Sequence, residues 1–303
     1  MNAGNTRIPQ SVSCHAATIE LQSQVEKFWK IEEIADNNIR SHEEELCEVH
    51  YKNNTRRDES GRYIVRLPFK EEDRQLGDSY ANVLRRFHAL ERSLSRKPEM
   101  KDEYTWFLSE YEELKHMTRI EGTSREEGYY LPHHAVLKQT SLTTKLRVVF
   151  DASAKTTNGK SLNNVLMVGP TIHEDLFTLL VRFRSRAIAI TADIAKMYRQ
   201  IRMDPRDRKY QNILWRPNKN EPVRTYRLNT VTYGTASASF LATRTLHQLA
   251  SDEFQQFPNA AIVLKEDFYV DDLLTGAHTV REAKRIRDEL IQITKKAEIY
   301  STK

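Results

Sequence analysis

The stretch FYVDDLLTG (268–276) decides how this chain is read. Phe268, Tyr269 and Val270 precede two adjacent acids, Asp271 and Asp272, and Leu273 and Leu274 follow, a pattern that predicts a strand, a tight turn and a second strand. Two acids in a hairpin are commonly no more than a solvated turn. Here both flanks are strongly apolar, which a solvated turn does not require. Upstream, AIAITAD (187–193) predicts an apolar strand ending on Asp193. Alone, such an acid is usually a turn former or a helix N-cap. One acid from a strand end and a pair from a hairpin together suit phosphoryl transfer, which needs carboxylates to hold divalent cations beside the attacking and leaving oxygens. Magnesium and manganese prefer such oxygen ligands, so two or three acids on rigid strands suffice.

Outward from these acids, strands and helices alternate beyond Gly128. LRVVF (146–150), QNILW (211–215), VRTYRL (223–228) and IVL (262–264) predict strands. HEDLFTLLVRFR (173–184), ASASFLATRTLHQLA (236–250) and a last segment with Val280, Ala283, Ile286, Leu290, Ile293 and Ala297 on one face predict helices. Before Gly128, amphipathic helices are expected around Tyr80–Leu94 and Tyr104–Met117, a short strand at Tyr63–Leu67, and loose helical spacing from Ile19 to Ile34. The charged run SHEEELCEVHYKNNTRRDESGR (41–62) reads as a linker or a solvated helix. Strands mixed with helices and no internal repeat indicate an α+β fold.

With 303 residues, 39% hydrophobic and 29% charged, the chain suits a polar globule with a sizeable core. A formal charge of +5 permits a polyanionic partner without demanding one. Two cysteines, Cys14 and Cys47, argue against a disulfide framework, and Cys47 with His50 is only half of a zinc pattern. No run approaches the roughly 18 apolar residues of a membrane span, so no membrane partner is expected. The final AEIYSTK stops just past a helical pattern and reads as a truncated frame.

The boxes themselves resemble a known family. Tyr269-Val270-Asp271-Asp272 is similar to the YxDD box of reverse transcriptases, and TADIAKMYRQI (191–201) to their first catalytic motif. The wording of RRDESGRYIVRLPFK, YYLPHHAVLK and TTKLRVVFDASAKT resembles the Bel/Pao group of long-terminal-repeat retrotransposons, over roughly residues 25 to 303.

The resemblance implies a right-hand polymerase: fingers over about 61–170 and palm over about 171–303, with an antiparallel palm sheet and helices on one face. It implies no thumb, and a connecting segment over 1–60. It makes Asp193 and Asp271 the principal ligands of two Mg2+ (or Mn2+) ions, with Asp272 beside them and the Ile194 carbonyl as a further ligand. Adjacent strand residues face opposite ways, so Asp272 is expected to act less directly than Asp271 unless the turn redirects it. Tyr198 matches the aromatic that excludes a 2′-hydroxyl; Arg147 and Lys138 match cations that grip the incoming triphosphate. Tyr233 and Gly234 match a pair that packs on nucleotide and template, and Lys303 weakly matches the lysine of a closing palm motif.

Ser239 departs from the pattern, which has proline there, with a modest stability cost expected. His133 and His134 are expected to be packing or template-side residues. Implied partners are an RNA or DNA template-primer, a deoxynucleoside triphosphate and the rest of a retroelement polyprotein. The implied setting is cytoplasmic virus-like particles, with the nucleus as an alternative. The competing readings are a catalytically inactive remnant that at most binds nucleic acid, and an unrelated nuclease, which needs a further acid cluster that the sequence lacks.

Overall fold

The computed structural model describes residues 40–70, 76–121, 127–137, 146–299 and 301–302. The chain divides into two compact units, Met1–Arg40 and Ser41–Lys303, and the second is described here. The segment from Ile19 to Ile34, Lys138 and Lys303 lie outside the described residues.

Helix α1 (His42–Asn54) forms inside the charged run because Ser41 and Glu44 close a capping box, each side chain accepting from the other's backbone N–H. It is not merely solvated. Cys47, Glu48 and Tyr51 are buried; the Tyr51 hydroxyl hydrogen-bonds Thr245 (3.0 Å), and Glu48 pairs with Arg244 (2.9 Å). The compact unit Ser41–Lys303 thus includes α1. Burial pushes the Cys47 thiol up to about 12, as expected of an inert core cysteine.

Small sheets follow. Strands β1 (Arg56–Arg57) and β2 (Tyr63–Val65) pair antiparallel, and β7 (Arg202–Met203) adds in parallel to β2. Helices α2 (Tyr80–Ser95) and α3 (Pro98–Glu113) bury Val83, Phe87 and Leu94, and Tyr104, Leu108 and Tyr111, respectively. Strands β3 (Met117–Arg119), β8 (Asn212–Trp215) and β9 (Arg224–Leu228) form an antiparallel sheet ordered β3-β9-β8. Strands β4 (His133–Leu137) and β5 (Leu146–Phe150) make a two-stranded antiparallel pair, with Val136 opposite Arg147. His133 is wholly internal. Its Nε2–H donates to the Leu214 carbonyl (2.9 Å), which leaves Nδ1 to accept from the Tyr104 hydroxyl. His134 is exposed.

After the short helix α4 (Leu162–Val165) and helix α5 (Leu176–Arg184) comes strand β6 (Ile188–Ile194), then α6 (Met197–Gln200), α7 (Ala238–Asp252) and α8 (Pro258–Glu266). Residues 262–264, read as a strand, lie in α8. Pro258 at the first helical turn fixes φ there, and Ala260, Ala261, Val263 and Leu264 bury at helical rather than alternating spacing. Strands β10 (Phe268–Tyr269), β11 (Asp272–Ala277) and β12 (Ser301–Thr302) join β6 in an antiparallel sheet ordered β10-β11-β6-β12. Helix α9 (Val280–Lys296), N-capped by Thr279, buries Ala283, Ile286, Leu290 and Ile293 and packs with α5 on this sheet. The fold is thus a mixture of helices and small, mainly antiparallel sheets.

Candidate active site

Backbone pairing brings the three acids together. Asp193 on β6 is the register partner of Asp272 on β11, and Tyr269 is the partner of Asp272 across the hairpin. Direct register partners project to one face of a sheet, so Asp193 and Asp272 share a face. Asp271 occupies the turn, where its carbonyl accepts from the Ile194 N–H (2.9 Å) and so locks the turn to β6. Val270, just before it, has φ +60, a left-handed conformation that β-branched residues rarely adopt. Asp193 and Asp271 are half-buried and Asp272 is exposed.

The charges at this junction repel one another. Burial holds the Asp271 carboxyl above its ordinary range, and Asp193 and Asp272 push it further, against the opposing pull of a hydrogen bond to its own backbone and of the Arg147 guanidinium. Such a concentration of anionic oxygen suits a hard divalent cation. Among the described residues, however, no three acids, histidines or cysteines are grouped to hold a metal. The carboxylates are therefore neighbours rather than a closed cage. Ile194 is buried beside them.

Tyr198, on α6 five residues past Asp193, stands next to this group. Burial raises its hydroxyl and the Asp271 charge raises it further, while a hydrogen bond with Ser239 works the other way. Lys196 opens α6 in a left-handed conformation (φ 52), with its ammonium on Glu110 (2.6 Å). The Tyr198 ring centroid is 6.4 Å from that of Tyr233, which is in turn 5.4 Å from Phe150. The Tyr233 hydroxyl donates to the Val148 carbonyl (2.6 Å), beside Arg147 on β5. Gly234 is needed for two reasons: its φ is +98, and a Cβ would meet the Phe150 carbonyl oxygen at 2.1 Å. The Asn163 amide brackets the same turn, donating to the Gly234 carbonyl (3.1 Å) and accepting from the Ala236 N–H (2.8 Å).

Of the residues expected at the site, Asp193, Asp271, Asp272, Ile194, Tyr198, Tyr269 and Val270 are assembled at the β6 end of the sheet, and Tyr233, Gly234 and Arg147 join them through β5. Lys138 is outside the described residues. Sequence reasoning missed Ser239, Asn163 and Glu110 as supports of Tyr198, Gly234 and Lys196. No local spacing signals them, because each acts across a long stretch of chain.

No family model matches the chain, and no curated protein does. Among solved structures it is similar to a foamy viral protease-reverse transcriptase dRH in complex with double-stranded DNA, with a TM-score of 0.48 and 14% identity over 63% of this chain. The chain spans 28% of the length of that protein.

Proposed function

We propose that residues 61–303 are the fingers and palm of an RNA-directed DNA polymerase from a Bel/Pao-type retrotransposon. Its reaction is attack of a primer 3′-hydroxyl on the α-phosphate of a deoxynucleoside triphosphate, with release of pyrophosphate. The observation that carries this reading is the pairing of Asp193 with Asp272 across β6 and β11, with Asp271 in the adjoining turn. Two magnesium or manganese ions, when bound by Asp193, Asp271 and Asp272, supply the charge that neutralises the attacking and leaving oxygens. Arg147 on β5 balances the triphosphate. The Tyr198 ring lies beneath the sugar and leaves no room for a 2′-hydroxyl. Tyr233 and Gly234 tie the strand that bears Arg147 to Tyr198 on α6. Residues 61–170 form the fingers and 171–303 the palm.

The second reading is a remnant that binds nucleic acid without turnover. Primer extension by the whole chain on an RNA template, with magnesium or manganese, decides between them. The expected outcome is metal-dependent incorporation that falls at least about 100-fold in Asp271→Asn. Incorporation untouched by that change defeats the polymerase reading, and oligonucleotide binding without turnover under either metal favours the remnant.

A further inference from the structure

Helix α2 and its C-terminal cap, Arg96, carry three arginines on one exposed stripe. Successive helical residues turn by about 100°, so Arg85, Arg92 and Arg96 fall within about 40° of one another, over about 16 Å of helix. All three are exposed, and the one residue between them near the centre of the stripe is the small Ala89. Arg85 donates to Asn82 on its own helix (2.9 Å), and no carboxylate among the described residues pairs with any of the three.

Arg56, Arg57, Arg66, Arg86, Arg216 and Arg244 are all paired with acids at 2.6–2.9 Å. The neighbouring helix α3 exposes Glu99, Asp102 and Glu103 instead, so the two-helix hairpin has an acidic member and a basic member. A polyanion laid on this hairpin is drawn to α2 and repelled from α3, which sets its direction as well as its place.

The stripe also connects with the candidate site. Asn82 donates to the Lys155 carbonyl (3.4 Å), which sets that exposed lysine's loop at the N-terminal end of the stripe, and Arg86 pairs with Asp151 (2.7 Å), the residue just after β5. Strand β5 bears Arg147. Helix α2 thus contacts the segment that follows β5.

We propose that Arg85, Arg92 and Arg96 form a phosphate-backbone track for single-stranded nucleic acid. It rests on the polymerase reading only in the choice of strand, which is the unpaired template. Guanidinium groups suit this work because each presents a fork of donors to phosphate oxygens, and contacts to the phosphate backbone need no base contact.

The test is fluorescence anisotropy of a labelled single-stranded oligonucleotide titrated with the whole protein at several salt concentrations, without nucleotide. Replacing all three (R85Q/R92Q/R96Q) is expected to reduce the slope of log affinity against log salt by about 2, since each phosphate contact on a single strand contributes about 0.7. A control on helix α9, R281Q/K284Q/R287Q, is expected to keep the wild-type slope. The single change R92E repeats the measurement should the triple variant fail to fold, and is expected to weaken binding at low salt at least about threefold.

An unchanged slope in the stripe variants, or an equal fall in the control, overturns the track. So does loss of binding to phosphatidylserine vesicles with oligonucleotide binding intact, which assigns the stripe to a membrane surface. Failure of the polymerase reading appears separately, as absent incorporation by the unaltered chain while the stripe variants still lower the salt slope.

Discussion

Val270 is held at φ +60 by what surrounds it: Tyr269 pairs with Asp272 on one side, and the Asp271 carbonyl receives the Ile194 N–H on the other. A β-branched residue there carries about 1–3 kcal/mol of strain, stored beside Asp271. Val270→Gly relieves that strain, while the freer unfolded chain offsets it by roughly 0.5–1 kcal/mol. The expected result is stability within about 1 kcal/mol of the parent by urea unfolding, together with a fall in nucleotide incorporation as the carboxylate loses its fixed place. A loss above about 2 kcal/mol contradicts the strain account. The acids themselves were legible in sequence because the apolar flanks of Asp271 and Asp272 are local. The reason for the turn's geometry was not, since it lies in β6, far away in the chain.

At the scale of elements, the decisive joint is between β5 and the turn at Tyr233-Gly234. Tyr233→Phe keeps the ring against Phe150 and Tyr198 and removes the bond to Val148 together with the hydroxyl's contacts to Tyr111 and Arg199. It is expected to cost about 1 kcal/mol of stability. It is also expected to raise KM for the deoxynucleotide several-fold with kcat little changed, because Arg147 is then less firmly placed. An unaltered KM in steady-state extension removes Tyr233 from the positioning of β5. Most elements were legible from their periods: α9 from its one-sided stripe, β5 and β8 from short β-branched or aromatic runs, and the β10–β11 hairpin from its turn. Helix α8 was not, because three apolar residues fit either period and only Pro258 and the flanking alanines decide. Helix α1 was misjudged for a different reason. Its charge hides Cys47 and Tyr51, and its partner Arg244 lies on α7, which no local pattern can name.

For the whole molecule, acid is the sensitive condition. Burial holds His133 down at about 4, against an ordinary 6.5, and only partly does the Leu214 carbonyl oppose this. His116 and His247 are also held at about 4, again chiefly by burial. Between pH 6.5 and 4 the unfolded chain binds these protons and the native protein does not, so stability falls as pH falls through that window and is level above it. His133 alone contributes a loss of roughly 3 kcal/mol by pH 4. Urea unfolding at pH 7.5, 6 and 4.5 is expected to show this decline, and His133→Phe to flatten it while lowering the plateau. A slope identical in the variant assigns the acid sensitivity elsewhere.

The sheet order β10-β11-β6-β12 gives the strands of Asp193 and Asp272 neighbours on both sides, whereas β5 has one partner among the described residues. The carboxylate side is thus the stiff jaw of a vice and the Arg147 side the compliant one, since a strand laddered on one edge yields to thermal motion before a strand laddered on two. Whatever is gripped between them is accommodated by movement of the arginine, not of the acids.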